Sequence, residues 1–340
     1  MDWSKFIVVW ENIHCTRVVK KEGTRTTTLP DGRVGVTFKY KGKDLALPVP
    51  ATWETISPAY GQGNIKHAAL AIWQVLHGAA DERKLGEDYL CWMAERQIKA
   101  GAHYLDVNVD EYSNDAAEAG KVMAFVVDFL GKRFTTPLSI DSSNATTLRI
   151  GLAGCRKDIK RPMLNSVSLE RVEVADIAAE FEADAIVNAA GKSGMPADVA
   201  ERMSNLTQII AIMEKAGVPQ AKMHLDPLVL PISTDPMNGQ YFLDATRQAH
   251  AAFPAVHLNG GLSNISFGMP NRKLLNMVFT YICAEAGTDG GILDPVSMSA
   301  QAIGEMDPNS EPFRLAKAVL TGEDMYGMEY ITAHREGKLG

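Results

Sequence analysis

The sequence predicts an α/β chain of the (β/α)8 TIM-barrel class with an inserted N-terminal β-hairpin, and three observations carry that expectation. Short apolar runs alternate with longer stretches of helical periodicity, which is how βαβ units around a parallel sheet read. About eight such runs are present, enough for a barrel. Almost every run has a carboxylate or amide at or close to its C-terminal end, as strands do when those ends carry a site.

The strand candidates, in order, are Phe6–Trp10, Tyr104–Val109, Pro137–Asp141, Pro162–Ser166, Ala185–Asn188, Met223–Pro227, Ala255–Leu258 and Gly291–Asp294. Each is short, rich in Val, Ile and Leu, and bounded by turn residues. Between them, Ala116–Leu130, Val199–Ala216 and Lys273–Ala286 repeat apolar residues at three and four, the spacing of one helix face. A further helix is expected at about Glu87–Ala100. Gly101, Gly217 and Gly287 each follow a helical run and read as C-terminal caps. Residues 23–50 break the rhythm. Strand-like Arg33–Tyr40 and Asp44–Leu47 flank Lys41-Gly42-Lys43, so a β-hairpin is expected there, inserted after the first strand. Residues 305–340 read as a C-terminal helical extension. No Pro/Ser-rich linker divides the chain, and one domain spanning 1–340 is the simplest reading.

Composition narrows the function. The 340 residues are 46% hydrophobic and 22% charged, which excludes a disordered chain. A net charge of −7 argues against a nucleic-acid partner. No apolar run approaches the roughly 20 residues of a membrane span, and the first residues lack the pattern of a signal peptide. A cytoplasmic protein is therefore expected. The four cysteines are widely spaced, and the histidines show no metal-binding spacing, so no bound metal is expected.

The polar residues at the strand ends point to the ligand. They are Glu11 and Asn12, Asp106 and Asn108, Asp141 to Asn144, Asn165 and Ser166, Asn188, Asp226, Ser263 and Asn264, and Asp294. Carboxylates and amides dominate; His14 falls just past the first strand and His257 inside the seventh. This set suits a 2-amino-4-oxopyrimidine, the head of a pterin. One edge of that ring offers adjacent N–H donors, which a carboxylate such as Asp141 or Asp226 accepts in parallel; amides such as Asn108 and Asn165 both donate and accept. Any one of these residues alone reads more readily as a loop or helix cap. Their recurrence at strand after strand favours a site.

Several motifs then carry a resemblance. Gly261-Leu262-Ser263-Asn264-Ile265-Ser266 with Asn271-Arg272 is similar to the signature loop of the pterin-binding, corrinoid-dependent methyltransferases. That family includes methyltetrahydrofolate:corrinoid/iron–sulfur protein methyltransferase and the folate domain of methionine synthase. Leu105–Val109, Leu138–Ser143, Leu164–Ser168, Gly191–Pro196 and Leu225–Pro231 resemble its other strand and loop motifs, in order. The resemblance implies methyl transfer between N5 of tetrahydrofolate and a corrinoid cobalt. It implies that Asp141, Asn165 and Asp226 hold the pterin, with Asn264 beside N5. Asp226 joins Asn264 as a catalytic candidate, and Asp106, Asn108, Gly261, Ser263, Arg272 and Glu11 complete the expected folate site. Tetrahydrofolate or 5-methyltetrahydrofolate is then the substrate. No Asp-x-His-x-x-Gly motif for ligating a corrinoid is present, so a separate corrinoid protein is the expected transient partner. Family likeness also suggests a homodimer. The residues 23–50 hairpin lies outside the common pattern, and Phe267 stands where some relatives carry a polar side chain.

Other readings are weaker. A dihydropteroate synthase-like enzyme needs a diphosphate grip, and Leu262–Ser266 lacks a Ser-Arg-Lys-like anion grip. A catalytically inactive folate-binding subunit has no need of Asn264. A Schiff-base aldolase needs a strand-end lysine, and Lys192 lies beyond the fifth strand as an ordinary loop charge.

Overall fold

A computed structural model describes residues 2–339, with the side chains of Glu11 and Asn12 outside the description. Elements are numbered in chain order. One sheet contains eight parallel strands: β1 (Ile7–His14), β7 (Tyr104–Asn108), β8 (Leu138–Asp141), β9 (Met163–Val167), β10 (Asp184–Asn188), β11 (Met223–Asp226), β12 (His257–Leu258) and β13 (Gly290–Ile292). Helices alternate with them: α4 (Ala116–Gly131), α5 (Ala145–Gly154), α6 (Val174–Glu180), α7 (Val199–Lys215), α8 (Asn238–Ala252) and α9 (Arg272–Glu285) follow β7 to β12 in turn. This is the (β/α)8 TIM-barrel class that the alternation of apolar runs predicts.

The eight expected runs are all strands, with shifted ends. β1 continues to His14, so His14 belongs to the strand instead of following it. The Cys15 N–H donates to the Asn108 carbonyl at 2.9 Å, continuing the pairing beyond that end. β12 shrinks to two residues, because the Gly260 N–H turns to the Asn259 side chain at 2.6 Å. Gly101, Gly217 and Gly287 have φ of 96°, 93° and 114°, the left-handed region a helix C-terminus uses and a Cβ disfavours.

The chain forms two compact units. The first comprises Met1–Trp10, Ala100–Tyr104 and Met163–Gly340. In it, residues 7–9 pair in parallel with 290–292, and β9, β10, β11 and β12 pair in sequence. Its main core joins α8 and α9 to the C-terminal helices α10 (Ala300–Gly304), α11 (Glu311–Leu320) and α12 (Met328–Arg335). Phe242 and Phe279 lie 5.6 Å apart there, packed with Leu275, Leu320 and Tyr330. Burying each such side chain contributes about 1.5–3 kcal/mol. Gly239, at the start of α8, admits the α11 backbone so closely that a Cβ would stand 2.0 Å from the Leu320 oxygen.

The second unit comprises Glu11–Lys99 and Leu105–Pro162. It contains β7 paired with β8, and the segment between β1 and β7. That segment holds β2 (Val18–Lys20), β3 (Thr26–Thr28), β4 (Val34–Tyr40), β5 (Lys43–Pro48), α1 (Trp53–Ile56), β6 (Asn64–Lys66), α2 (His67–His77) and α3 (Ala80–Lys99). β4 and β5 are the hairpin strands, joined at Lys41 and Gly42, both with positive φ, and β3 extends them to a three-stranded sheet. Phe38 of β4 sits on α3 between Tyr89 and Trp92, at 4.9 and 5.7 Å. Gly86 lets α3 pack against α2, since a Cβ there would reach within 2.7 Å of the Ala71 oxygen.

Candidate functional site

In the second unit, β7 and β8 run parallel with Asn108 opposite Asp141. The pairing places two expected ligand groups side by side, and the Asn108 Nδ2 donates to Asp141 Oδ2 at 3.0 Å. The Asn108 Oδ1 in turn accepts the Asp110 N–H at 3.0 Å, so the amide is fixed at both ends. Asp110 is held by Ser142 Oγ at 2.5 Å, and by the Ser143 N–H and Oγ at 2.7 Å each. The turn after β8 is therefore locked to the turn after β7. Asn144 caps α5, accepting the N–H groups of Thr146 and Thr147, so its role is structural.

His14 approaches these carboxylates from the end of β1. Its Nε2 lies 2.6 Å from Asp106 Oδ2 and 3.9 Å from Asp141 Oδ2. Asp106 and His14 are buried, while Asp141 is partly open. The three groups bring one nitrogen and two carboxylate oxygens within 4.8 Å of one another. At 2.6 Å the first pair shares a proton; two ligands of one tetrahedral zinc ion would stand roughly 3.3 Å apart. Sequence spacing gave no sign of this pair, whose members are 92 residues apart.

In the first unit, Asp226 ends β11 and is buried. Its Oδ1 accepts the Leu228 N–H at 2.8 Å. Burial pushes its pKa up to about 6, although the Leu228 N–H, the Arg202 charge and the Gly261 N–H all pull it down. Arg202 of α7 is fully buried. It donates to the Pro227 carbonyl at 2.8 Å and to the Leu228 carbonyl, fixing the turn in which Leu228 takes a φ of 71°. Sequence reading passed over Arg202 because it sits inside a regular helix.

The loop after β12 forms a short 3-10 turn, Leu262–Ser266. Asn264 is exposed on it, and its N–H bonds the Gly261 carbonyl at 2.9 Å. A Cβ on Gly261 would stand 2.8 Å from Asn264 Nδ2, so glycine there makes room for the amide. Arg272 braces this loop: its Nε donates to Ser266 Oγ and its Nη2 to the Ser263 carbonyl, both at 3.0 Å. The guanidinium also lies 4.2 Å from the Phe267 ring centre. Asn165 is partly open in the middle of β9, where the Asn165–Ser166 peptide is cis, and Asn188 Nδ2 donates to Ser166 Oγ at 2.8 Å. Asp294 serves its own turn through Val296 and Ser297. His257, at the start of β12, pairs with Asp289 at 2.6 Å. Lys192 is an exposed loop residue.

Of the expected folate-site residues, the structure joins Asn108 to Asp141, and Asp226 to the Gly261–Asn264 loop. Arg272 and Ser263 belong to the bracing of that loop, and Asp106 is taken by His14. The Glu11 side chain lies outside the described residues.

A family model described as "Pterin binding enzyme" matches residues 84–294. The methylcorrinoid:tetrahydrofolate methyltransferase of Eubacterium limosum is 28% identical over 249 residues, covering 72% of this chain and 86% of its own length. The methionine synthase of Mycobacterium leprae is 30% identical over 229 residues, 62% of this chain but 18% of that longer protein. Among solved structures, the dihydropteroate synthases of Stenotrophomonas maltophilia and Xanthomonas albilineans superpose with TM-scores of 0.52 at 18% and 20% identity. The first covers 66% of this chain and 86% of that one, the second 65% and 85%. At such identities these two structures establish the fold alone.

Proposed function

Because this chain belongs to the pterin-binding enzyme family, we propose that it is a methyltransferase acting between N5 of tetrahydrofolate and the cobalt of a corrinoid carried by a separate protein. One observation carries the reading: a buried strand-end acid, Asp226, adjoins a glycine-loosened loop that presents one exposed amide, Asn264. A pterin needs an acceptor for its N–H edge and a small, reorientable polar group at N5, and no metal-bound water or covalent nucleophile.

The roles follow from the chemistry of each group. Within the first unit, Asp226 is the candidate acceptor of ring N–H groups and Asn165 complements the amide edge; within the second, Asp141 is the candidate acceptor. Asn108 holds Asp141 in place. When the methyl group moves to tetrahydrofolate, the N5 lone pair forms the new C–N bond, the N5 proton leaves, and the cobalt keeps the electron pair of the broken bond. In the reverse sense, N5 regains its proton as the methyl leaves. The Asn264 amide accepts from N5–H or donates to the N5 lone pair, so it serves both protonation states. Arg272 and Gly261 hold that amide in place. The methyl group passes directly between cobalt and N5, so a protein that carries the corrinoid has to bring it up to N5 and docks transiently.

The test mixes the purified protein with methylcobalamin and tetrahydrofolate, and separately with Co(I) cobalamin and 5-methyltetrahydrofolate, while the corrinoid absorption is followed. Conversion in at least one direction is expected, with Asn264→Ala slowed about tenfold or more. An unchanged corrinoid spectrum in both directions contradicts transferase activity; a rate within about threefold for Asn264→Ala contradicts its role.

A further inference from the structure

We propose that His14 is a positioning residue for pterin recognition: an imidazolium that bridges buried Asp106 to Asp141 and keeps Asp141 an oriented, anionic acceptor. The inference rests on the reading that Asp141 binds the ring. It starts from a charge problem. Asp106 is 0% exposed, and its Oδ1 has no hydrogen-bond donor among the described residues. Its Oδ2 lies 2.6 Å from His14 Nε2, and the same nitrogen is 3.9 Å from Asp141 Oδ2. Two carboxylates therefore face one imidazole from neighbouring strands, Asp106 from β7 and Asp141 from β8.

With a neutral imidazole the three groups would carry two negative charges, one of them wholly desolvated. Like charges so placed repel, and a buried carboxylate without a compensating cation is costly. An imidazolium removes both difficulties: it neutralises Asp106 and leaves Asp141 as the one net negative charge. Asp141 alone of the three is partly open, and its Oδ2 already takes an N–H from Asn108 at 3.0 Å. The open acceptor is thus steered from two sides, by Asn108 and by the charge on His14. His14 itself is 5% exposed and acts through Asp141 without touching the ring.

The experiment reads charge and binding separately. Nitrogen-detected NMR of the wild-type histidine side chains at pH 8 is expected to show both His14 ring nitrogens protonated, where an unperturbed histidine (pKa about 6.5) is neutral. Calorimetry with tetrahydrofolate is expected to show His14→Gln binding about tenfold more weakly than wild type, because Gln keeps a donor toward Asp106 and loses the charge. The double variant His14→Gln/Asp106→Asn removes the stranded charge and is expected to return affinity to within about threefold of wild type; a purely structural role would not be rescued this way. A neutral His14 ring at pH 8, a His14→Gln variant that binds like wild type, or a double variant no better than the single one overturns the proposal. Absence of heat from the wild type overturns the pterin reading, and this role with it, while the NMR signal still reports the charge on the ring.

Discussion

Asp226 is a carboxyl whose burial outweighs its partners: two N–H donors and a guanidinium still leave its pKa at about 6, above the ordinary 3.8. A raised folded-state value means the acid helps stability below about pH 4 and loses that contribution as pH rises through 6. The rise from 3.8 to about 6 corresponds to about 3 kcal/mol at full ionisation. Asp226→Asn is therefore expected to be more stable than wild type, by a margin that widens from pH 5 to pH 8 toward about 3 kcal/mol. Denaturant titrations at the two pH values measure it, and a margin independent of pH would contradict the assigned protonation. Gly261 gives a second residue-scale prediction. Its added methyl would meet Asn264 Nδ2 at 2.8 Å, so Gly261→Ala is expected to slow methyl transfer at least about fivefold while leaving stability within about 0.5 kcal/mol. Residue types at strand ends made Asp141, Asp226 and Asn264 legible in the sequence. His14 was not, because its meaning lies in Asp106, 92 residues away, and no local periodicity encodes that meeting. Arg272 was legible as polar, yet its partners Ser263 and Ser266 turn it toward the loop itself.

The helices and strands follow local rules where one face is buried and the other wet. α4, α7 and α9 were legible at nearly their observed bounds because each alternates an apolar stripe with a polar one. α2 was missed; its first six residues, His67 to Ile72, are all buried. β2 and β6 were missed because three residues each are too few for a pattern. Packing between elements turns on glycines whose neighbours sequence cannot show. Gly239→Ala would drive a methyl into the Leu320 carbonyl at 2.0 Å, so a loss of about 2 kcal/mol or more is expected as α8 is pushed from α11. Gly131→Ala, in α4 with nothing nearer than 3.6 Å, is expected to be neutral or up to about 1 kcal/mol stabilising. Thermal melts of the two variants compare them directly, and equal effects would contradict this packing.

At the scale of the whole molecule, eight parallel strands with alternating helices fix the class, and the family match from residue 84 to 294 spans β7 to β13. The segment before it holds β1 and the three-stranded sheet that packs on α3. No described helix is long and apolar enough to cross a membrane. The fold was legible because alternation of short and long apolar patterns survives without any tertiary information. The candidate site could be read as a list of groups, since chemistry selects their types, and not as an arrangement, since the bracing of each group depends on neighbours from other strands. Isothermal titration with tetrahydrofolate tests the proposed pterin reading, in which Asp226 of the first unit and Asp141 of the second are each a candidate acceptor of ring N–H groups. Binding by the wild type is expected, with affinity lowered about tenfold or more in both Asp141→Asn and Asp226→Asn. Heat of binding absent for every reduced folate, or both variants binding as the wild type does, would contradict it.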